Sequence, residues 1–253
     1  MPPYDPGIRL FVDAPISAGA EVALSADQAH YLRNVMRLAP GATLKLFNGR
    51  DGEWRGTLAT LDKKRGTVQA AERLRPQKPA ADLWLVFAPI KRARLDFIAQ
   101  KAAELGVSGI WPVMTRYTDV ARVNDQRLRA NAIEAAEQCA RLDVPEILPT
   151  DRLDRALDRW PAGRRLLLCD ETATEVPLAA ALAAEKTRMP EPWAVLIGPE
   201  GGFAPEELER LHRMDGVLRV GLGDRLLRAD TAAVAALACW QAILGDWSGD
   251  TVP

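Results

Sequence analysis

The sequence predicts an α/β protein in which a mostly parallel sheet, covered by helices, follows a smaller β-rich domain. Three observations support this class. From residue 83 onwards, apolar stretches typical of strands alternate with stretches of helical periodicity. Before that point, short strand-like stretches are separated by turn residues, as in a small barrel. Between the two parts, Pro76-Gln77-Lys78-Pro79 places two prolines in a polar stretch, which marks a boundary.

We therefore expect a β-rich domain over residues 1–75, a linker over 76–82 and a second domain over 83–253. In the first domain, strands are predicted over 8–12, 43–47, 54–61 and 67–73. A capping-box pattern, Ser25-Ala26-Asp27-Gln28, opens a short helix that is expected to run through about Arg37.

In the second domain, apolar runs and helical periodicity alternate. Strands are predicted over 83–88, 110–114, 166–170, 194–197 and 217–220. Helices are predicted over 95–105, 126–141, 176–185 and 231–244, with a further helix starting at Pro205. The last helix is apolar on several faces, which indicates either deep burial or an interface between subunits.

Size and composition are those of a soluble globular protein. The chain has 253 residues, of which 48% are hydrophobic and 26% are charged. No apolar run approaches the ~18 residues of a membrane span, and no signal peptide is visible. Three scattered cysteines, Cys139, Cys169 and Cys239, suggest a cytoplasmic protein with reduced thiols. Because there are only two histidines, neither a metal site nor a histidine-based triad is predicted.

Charge is unevenly distributed along the chain, although the net charge is only −1. Residues 1–101 hold 16 Lys+Arg and 10 Asp+Glu, so the remainder is acidic. A basic first part favours an anionic partner such as a nucleic acid. Solvated surface charges would give the same pattern.

Two glycine-bearing loops carry the strongest functional signal. One predicted strand runs into Gly198-Pro199-Glu200-Gly201-Gly202, the next runs into Gly221-Leu222-Gly223, and each loop leads into a helix. Ligands of open α/β sheets bind at the carboxyl ends of strands, so we expect these loops to form two walls of one pocket. Gly201 and Gly202 can adopt positive φ and let a ligand approach the bare backbone.

The first of these loops is a poor phosphate cradle. It lacks the lysine of a P-loop, does not match G-x-G-x-x-G and carries an acidic residue, Glu200. A ligand without phosphate, held by backbone groups, fits better, and a Rossmann-type dehydrogenase is disfavoured. Two ordinary strand–helix turns that use glycine for geometry alone would show the same spacing.

These loops resemble those of a known family. Residues 196–203, Leu-Ile-Gly-Pro-Glu-Gly-Gly-Phe, together with Leu222-Gly223 and Leu227-Arg228-x-x-Thr231-Ala232, are similar to the paired signature of the bacterial 16S ribosomal RNA (uracil-N3)-methyltransferases of the SPOUT class. Further segments match at Lys91, 100–107, 134–138 and Arg141, so the resemblance covers nearly the whole chain. It implies a C-terminal SPOUT domain with a trefoil knot and an N-terminal PUA-like β-barrel.

The resemblance also implies the cofactor, S-adenosylmethionine, and the residues around it. Cofactor contacts are expected from both loops and their flanks, namely Leu196, Ile197, Gly198, Pro199, Gly201, Gly202, Leu222, Gly223, Leu227 and Thr231. Arg228 is expected to stabilise negative charge on the uracil or to grip the RNA, and Asp230 and Glu200 are candidate bases. The family generally has Thr-Glu where this chain has Ala229-Asp230, and Asp230 would serve equally well as a helix N-terminal charge.

The expected partner is 16S ribosomal RNA or the assembled small subunit, methylated by a homodimer. Phosphate contacts are predicted because a guanidinium fork matches phosphate oxygens, although surface salt bridging is the alternative. The candidate residues are Arg9, Arg33, Arg37, Lys91 and Arg92. Two other functions stay open: a SPOUT methyltransferase acting on transfer RNA or another ribosomal base, and a non-catalytic ribosome-assembly protein that binds RNA.

Overall fold

The computed structural model describes residues 7–170, 172, 176–188 and 191–248. The described chain divides into two compact units. The first comprises the described residues up to Pro79 together with Ala136–Val144, and the second comprises Ala80–Ala135 and the described residues from Pro145 onwards. None of the helices in this part of the chain has the length and apolar character needed to span a bilayer.

The first unit is built on a five-stranded sheet in the order β1-β3-β4-β5-β2. Its strands are β1 (Arg9–Phe11), β2 (Glu21–Leu24), β3 (Thr43–Phe47), β4 (Glu53–Leu61) and β5 (Gly66–Arg75). β1 pairs with β3 in parallel, and the other pairs are antiparallel. Inward-facing side chains such as Leu10, Leu46 and Leu58 form its buried core. The predicted hairpin of β4 and β5 is confirmed.

A short helix and a π-helix follow β2 in the first unit. The predicted capping box at Ser25 is confirmed, because the Ser25 side chain accepts from the Gln28 backbone and the Gln28 side chain accepts from the Ser25 backbone. The helix α1 (Ala26–His30) then widens into a π-helix, Tyr31–Val35. Arg37 has a left-handed φ of 55°, so the helix ends before the predicted position.

A buried ion cluster ties the strands of the first unit to its segment Ala136–Val144. Arg9 is only 4% exposed, and its Nε donates to Glu53 Oε1 over 2.7 Å. Its other nitrogens donate to the carbonyl oxygens of Ala136, Glu137 and Arg141. Arg75 Nε donates to the second Glu53 oxygen over 2.9 Å. The expectation that Arg9 contacts a phosphate is therefore wrong, because its guanidinium is buried and committed within the protein.

Removing the Glu53 carboxylate is expected to destabilise the first unit. Burial would raise the pKa of Glu53, but hydrogen bonds from Arg75 and Arg9 and their charges outweigh it and hold the pKa below 4.5. We expect Glu53→Gln to lower the free energy of unfolding by about 3 kcal/mol, because it leaves the Arg9 charge buried and unpaired. Urea unfolding at neutral pH measures this loss.

The pH dependence of the free energy of unfolding gives a second readout, and a substitution at Glu72 serves as the control. A depressed carboxyl pKa contributes stability that is complete above 4.5 and is lost as pH falls through the lower folded value. The wild type should thus lose more stability on acidification than Glu53→Gln does. Glu72→Gln, which breaks the exposed pair with Arg55, is the control and should cost less than about 1 kcal/mol. Equal effects of the two substitutions would contradict the stabilising role of the cluster.

The second unit is built on a seven-stranded, wholly parallel sheet. Its strands are β6 (Leu83–Phe87), β7 (Gly109–Met114), β8 (Glu146–Ile147), β9 (Asp151–Arg152), β10 (Arg165–Cys169), β11 (Trp193–Ile197) and β12 (Val217–Val220). Six of them run in the order β12-β10-β11-β6-β7-β8, and β9 pairs with β7. The predicted fold class, a parallel α/β unit after a smaller β unit, is confirmed.

Helices cover both faces of this sheet. The α-helices described from residue 92 onwards are α2 (Arg92–Glu104), α3 (Asp125–Gln138), α4 (Leu153–Asp158), α5 (Leu178–Glu185), α6 (Pro205–His212) and α7 (Ala229–Ile243), and a 3₁₀ helix, Lys186–Arg188, follows α5. Residues of α2, α5 and α7 form one buried core with side chains such as Leu85 and Val195. Residues of α4 and α6 form a second core with Val86 and Leu196. Successive strand residues therefore point into different cores, as β geometry requires.

Candidate active site

A cavity of about 720 Å³ opens at the carboxyl ends of β10, β11 and β12. This volume lies in the range of small-molecule sites, and the position is where parallel α/β sheets bind ligands. Its walls are the three segments that follow these strands and the start of α7. The lining residues are Cys169, Asp170, Thr172, residues 197–203, Leu208, residues 221–229 and Ala232.

Strand register explains why the two predicted glycine loops meet. Cys169 of β10 lies opposite Ile197 of β11 on one side and Val220 of β12 on the other. The three strands thus end at the same level, and their following segments surround one space. Because β10 lies between β11 and β12, Asp170 and Thr172, which follow β10, form a third wall that the spacing of the glycines did not predict.

The glycines serve different geometrical needs. Gly202 and Gly223 adopt φ of 71° and 91°, which L side chains rarely adopt. Gly201 lies outside that region, so only one of the two adjacent glycines uses the predicted conformation. A Cβ on Gly198 would lie 2.7 Å from Cε2 of Phe203. The Phe203 ring can therefore pack there only because residue 198 is a glycine. Gly221 forms a bridge with Pro177 that fixes the loop after β12.

Asp170, just beyond β10, puts a carboxylate in the third wall. It is only 5% exposed, and Arg219 Nε donates to its Oδ2 over 2.8 Å. The Thr172 backbone N–H and hydroxyl both donate to its Oδ1. Burial would raise the pKa of Asp170, but the bonds from Thr172 and Arg219 outweigh it and lower the pKa below 3.8. Asp170 therefore contributes a fixed negative charge to the cavity wall.

The neighbouring thiol is not a nucleophile. Burial raises the pKa of Cys169 to about 12, so the side chain stays protonated at neutral pH. Asp170 was not among the residues predicted from the sequence. Its position directly after the apolar run of β10 was the available signal, because polar residues at the carboxyl end of a strand face the ligand site.

Most of the predicted cofactor residues lie together around this cavity. Eight of them line it: Ile197, Gly198, Pro199, Gly201, Gly202, Leu222, Gly223 and Leu227. Leu196 is fully buried within β11, where its side chain packs into the core shared with α4 and α6. Thr231 is exposed in the first turn of α7 and is outside the lining.

The three predicted catalytic residues lie near one another at the rim. Arg228 lines the cavity as the N-cap residue of α7, and its side chain makes no capping hydrogen bond. Glu200 also lines the cavity, whereas Asp230 lies in the first turn of α7, just outside it. Both carboxylates face Arg94, a residue that the sequence did not indicate: its Nη1 lies 2.5 Å from Glu200 Oε1, and its Nε lies 3.7 Å from Asp230 Oδ2.

The remaining predicted RNA contacts fall in both units of the chain. Arg33 belongs to the exposed face of the π-helix, and Arg37 is exposed just after it. Lys91 is exposed and precedes α2 as its N-cap residue. Arg92 opens α2, but its side chain is outside the described residues. Arg33, Arg37 and Lys91 are therefore accessible, in contrast to Arg9.

Known proteins with similar sequences cover almost the whole chain. The family described as the RNA methyltransferase domain matches residues 76–241, and that described as the RNA methyltransferase PUA domain matches residues 24–70. Ribosomal RNA small subunit methyltransferase E of Mycobacterium bovis is 31% identical over 252 residues, which cover 94% of this chain and 92% of the relative. The Rickettsia conorii protein of the same name is 30% identical over 231 residues, with 91% and 93% covered.

Solved structures agree with these relatives. Ribosomal RNA small subunit methyltransferase E from Neisseria gonorrhoeae bound to S-adenosyl methionine has a TM-score of 0.81 and 29% identity, covering 95% of this chain and 99% of that one. A Legionella pneumophila methyltransferase in complex with SAM also has a TM-score of 0.81 and 29% identity, covering 93% and 97%. This chain therefore belongs to the RNA methyltransferase family that includes the ribosomal RNA small subunit methyltransferases E.

Proposed function

We propose that this protein transfers the methyl group of S-adenosylmethionine to N3 of a specific uridine in small-subunit ribosomal RNA. The cavity at the ends of β10, β11 and β12 carries this proposal. It occurs in a chain that matches, over nearly its full length, small-subunit ribosomal RNA methyltransferases, one of them with S-adenosyl methionine bound. The choice of N3 of uracil rests on the signature at residues 196–203 and 222–232.

The cavity residues fit this cofactor. Ile197, Leu222 and Leu227 offer apolar surface for an adenine ring, while the glycine loops leave main chain accessible to its polar edge. Asp170 places an ionised carboxylate, paired with Arg219, in the wall that would lie beside a ligand with a sulfonium and an ammonium group.

When bound, the cofactor supplies an electrophilic methyl group, and the chain supplies orientation and charge. Walls on three sides would orient the two ligands for an in-line displacement, and such orientation can supply a large part of the rate gain. Uracil N3 must lose its proton, and negative charge spreads onto the ring oxygens. Arg228, at the positive end of α7, is placed to stabilise that charge. The proton passes to Glu200 or Asp230, the candidate bases, or to solvent water where these carboxylates serve another role.

An exposed patch of the first unit is the proposed RNA contact. Arg33 and Arg37 flank Val35 and Met36, which are 61% and 36% exposed at the end of the π-helix. Guanidinium groups beside exposed apolar side chains suit a nucleic acid, because phosphates pair with the former and bases pack on the latter.

Removing the charges of this patch is expected to weaken RNA binding without changing the fold. For Arg33→Ala combined with Arg37→Ala, we expect about tenfold weaker binding to small-subunit RNA. The slope of log affinity against log salt should fall by about one for each lost phosphate contact. Arg55→Ala is the matched control, since Arg55 is exposed but paired with Glu72. Filter binding at several salt concentrations measures both quantities. An unchanged slope in the double variant would remove this patch from the interface.

Methyl transfer separates the proposed enzyme from a non-catalytic RNA-binding protein. Isothermal calorimetry should detect S-adenosylmethionine binding, and labelled methyl groups should enter small-subunit RNA but not transfer RNA. Assembled small subunits and free 16S RNA should be compared as substrates. Cofactor binding without transfer to either would refute the enzymatic proposal. Transfer to tRNA alone would support a related methyltransferase of different specificity.

A further inference from the structure

Arg94 contacts one acidic residue in the loop after β11 and another at the start of α7. It lies in the first turns of α2, and its side chain is 28% exposed. Its Nη1 lies 2.5 Å from Glu200 Oε1 in the loop after β11. Its Nε lies 3.7 Å from Oδ2 of Asp230, which is in α7 directly after the loop that follows β12. One guanidinium therefore pairs with a carboxylate in the loop after β11 and with another at the start of α7.

The backbone that carries Arg94 is firmly held. Its N–H donates to Lys91 O over 3.0 Å, and the next residue, Leu95, belongs to the core that α2 shares with α7. Ile98, one turn further on, is also buried there. The guanidinium thus extends from a packed helix towards a loop residue, Glu200, whose side chain is 57% exposed. Such a geometry lets a rigid element restrain a loop.

We propose that Arg94 is a positioning residue that holds the loop after β11 and the start of α7 in the arrangement that binds the cofactor. This inference rests on the proposed function. Glu200 and Asp230 then act as charge partners of Arg94, and Arg228 is set in place because it directly precedes α7. A planar guanidinium suits this role, since it donates to Glu200 while its delocalised charge also faces Asp230, whereas a lysine offers one point charge.

The pair is partly exposed, so its contribution to global stability is small. We expect its loss to change cofactor binding in the cavity instead. For Arg94→Gln, we expect at least about tenfold weaker S-adenosylmethionine binding and a matching loss in kcat/KM, with little change in Tm. Arg94→Lys should recover part of the loss. Arg127→Gln is the matched control, because Arg127 forms a similarly exposed pair with Asp96 away from the cavity and should leave these values unchanged.

Substitutions of the two carboxylates that pair with Arg94 test the same proposal. If Glu200 and Asp230 serve only as charge partners of Arg94, Glu200→Gln and Asp230→Asn should each keep the acid limb of the pH–rate profile, because neither carboxylate then takes the proton. Loss of that limb together with a loss of activity of about a hundredfold or more in either variant would show a general base and overturn the positioning role for that residue.

Hydrogen exchange of the ligand-free protein decides the inference independently of methyl transfer. Amides of residues 198–204 and 229–232 should exchange at least about tenfold faster in Arg94→Gln than in the wild type or in Arg127→Gln. Unchanged exchange would overturn the inference. A wild type that transfers no methyl group to small-subunit RNA would instead refute the proposed function, while this comparison would still decide the role of Arg94.

Discussion

Replacing Arg228 with alanine is expected to reduce methyl transfer to small-subunit RNA by about 10²- to 10³-fold. That loss corresponds to removing one preorganised group that stabilises charge in the transition state. Arg228 is exposed and makes no side-chain capping bond to α7, so the fold should not depend on it. Single-turnover methylation at saturating cofactor measures the change, with calorimetry to confirm that the cofactor still binds.

Two variants control this measurement. Arg228→Lys keeps the charge but not the planar fork, and should recover part of the rate. Arg213→Ala removes an exposed arginine just after α6 that pairs with Glu209 outside the cavity, and should behave as the wild type. Near-normal transfer by Arg228→Ala would exclude Arg228 from the chemical step.

Valine at Gly223 is expected to weaken S-adenosylmethionine binding by about a hundredfold, equivalent to about 2.7 kcal/mol. Gly223 lines the cavity with φ of 91°, and no atom of the protein lies within 4 Å of an added Cβ. A branched side chain there combines backbone strain with loss of space beside the ligand. Calorimetric titration measures the affinity.

Gly163 provides a closely matched control. It has φ of 78°, again with no protein atom within 4 Å of an added Cβ, but it lies in the turn before β10, away from the cavity. Gly163→Val should therefore carry a similar backbone strain without affecting the cofactor. If both variants bind equally well, or both lose affinity equally, the cavity at Gly223 is not where the cofactor sits.

Local sequence patterns predicted the long elements well but not their arrangement. β11 and β12 lie within one residue of their predicted bounds, because both are apolar runs ended by glycine. Their separation by β10 was not predictable, since periodicity carries no information about strand order. The two-residue strands β8 and β9 are too short for any period to show. The helix α3 ends at Gln138, and Ala140 beyond it adopts φ of 64°, which no glycine signals.

Only the parts of the candidate site that depend on backbone conformation, the two glycine loops, were predictable from the sequence. The glycine loops are visible in the sequence and do line one cavity. Asp170 and Arg94 were missed because their roles depend on partners such as Arg219 and Glu200, which are 49 and 106 residues away. Arg9 was misassigned for the same reason, since its buried partner Glu53 is 44 residues away. The domain boundary at residues 76–82 and the homodimer stay predictions.

The most direct test is to locate the methyl group. Purified protein should be incubated with S-adenosylmethionine carrying a labelled methyl group and with small ribosomal subunits that lack the modification, followed by nuclease digestion and mass spectrometry. We expect one labelled nucleoside, N3-methyluridine, from a single position of the 16S RNA. Label on a ribose oxygen, on another base or on no nucleoside at all, with the cofactor bound, would contradict the proposed function.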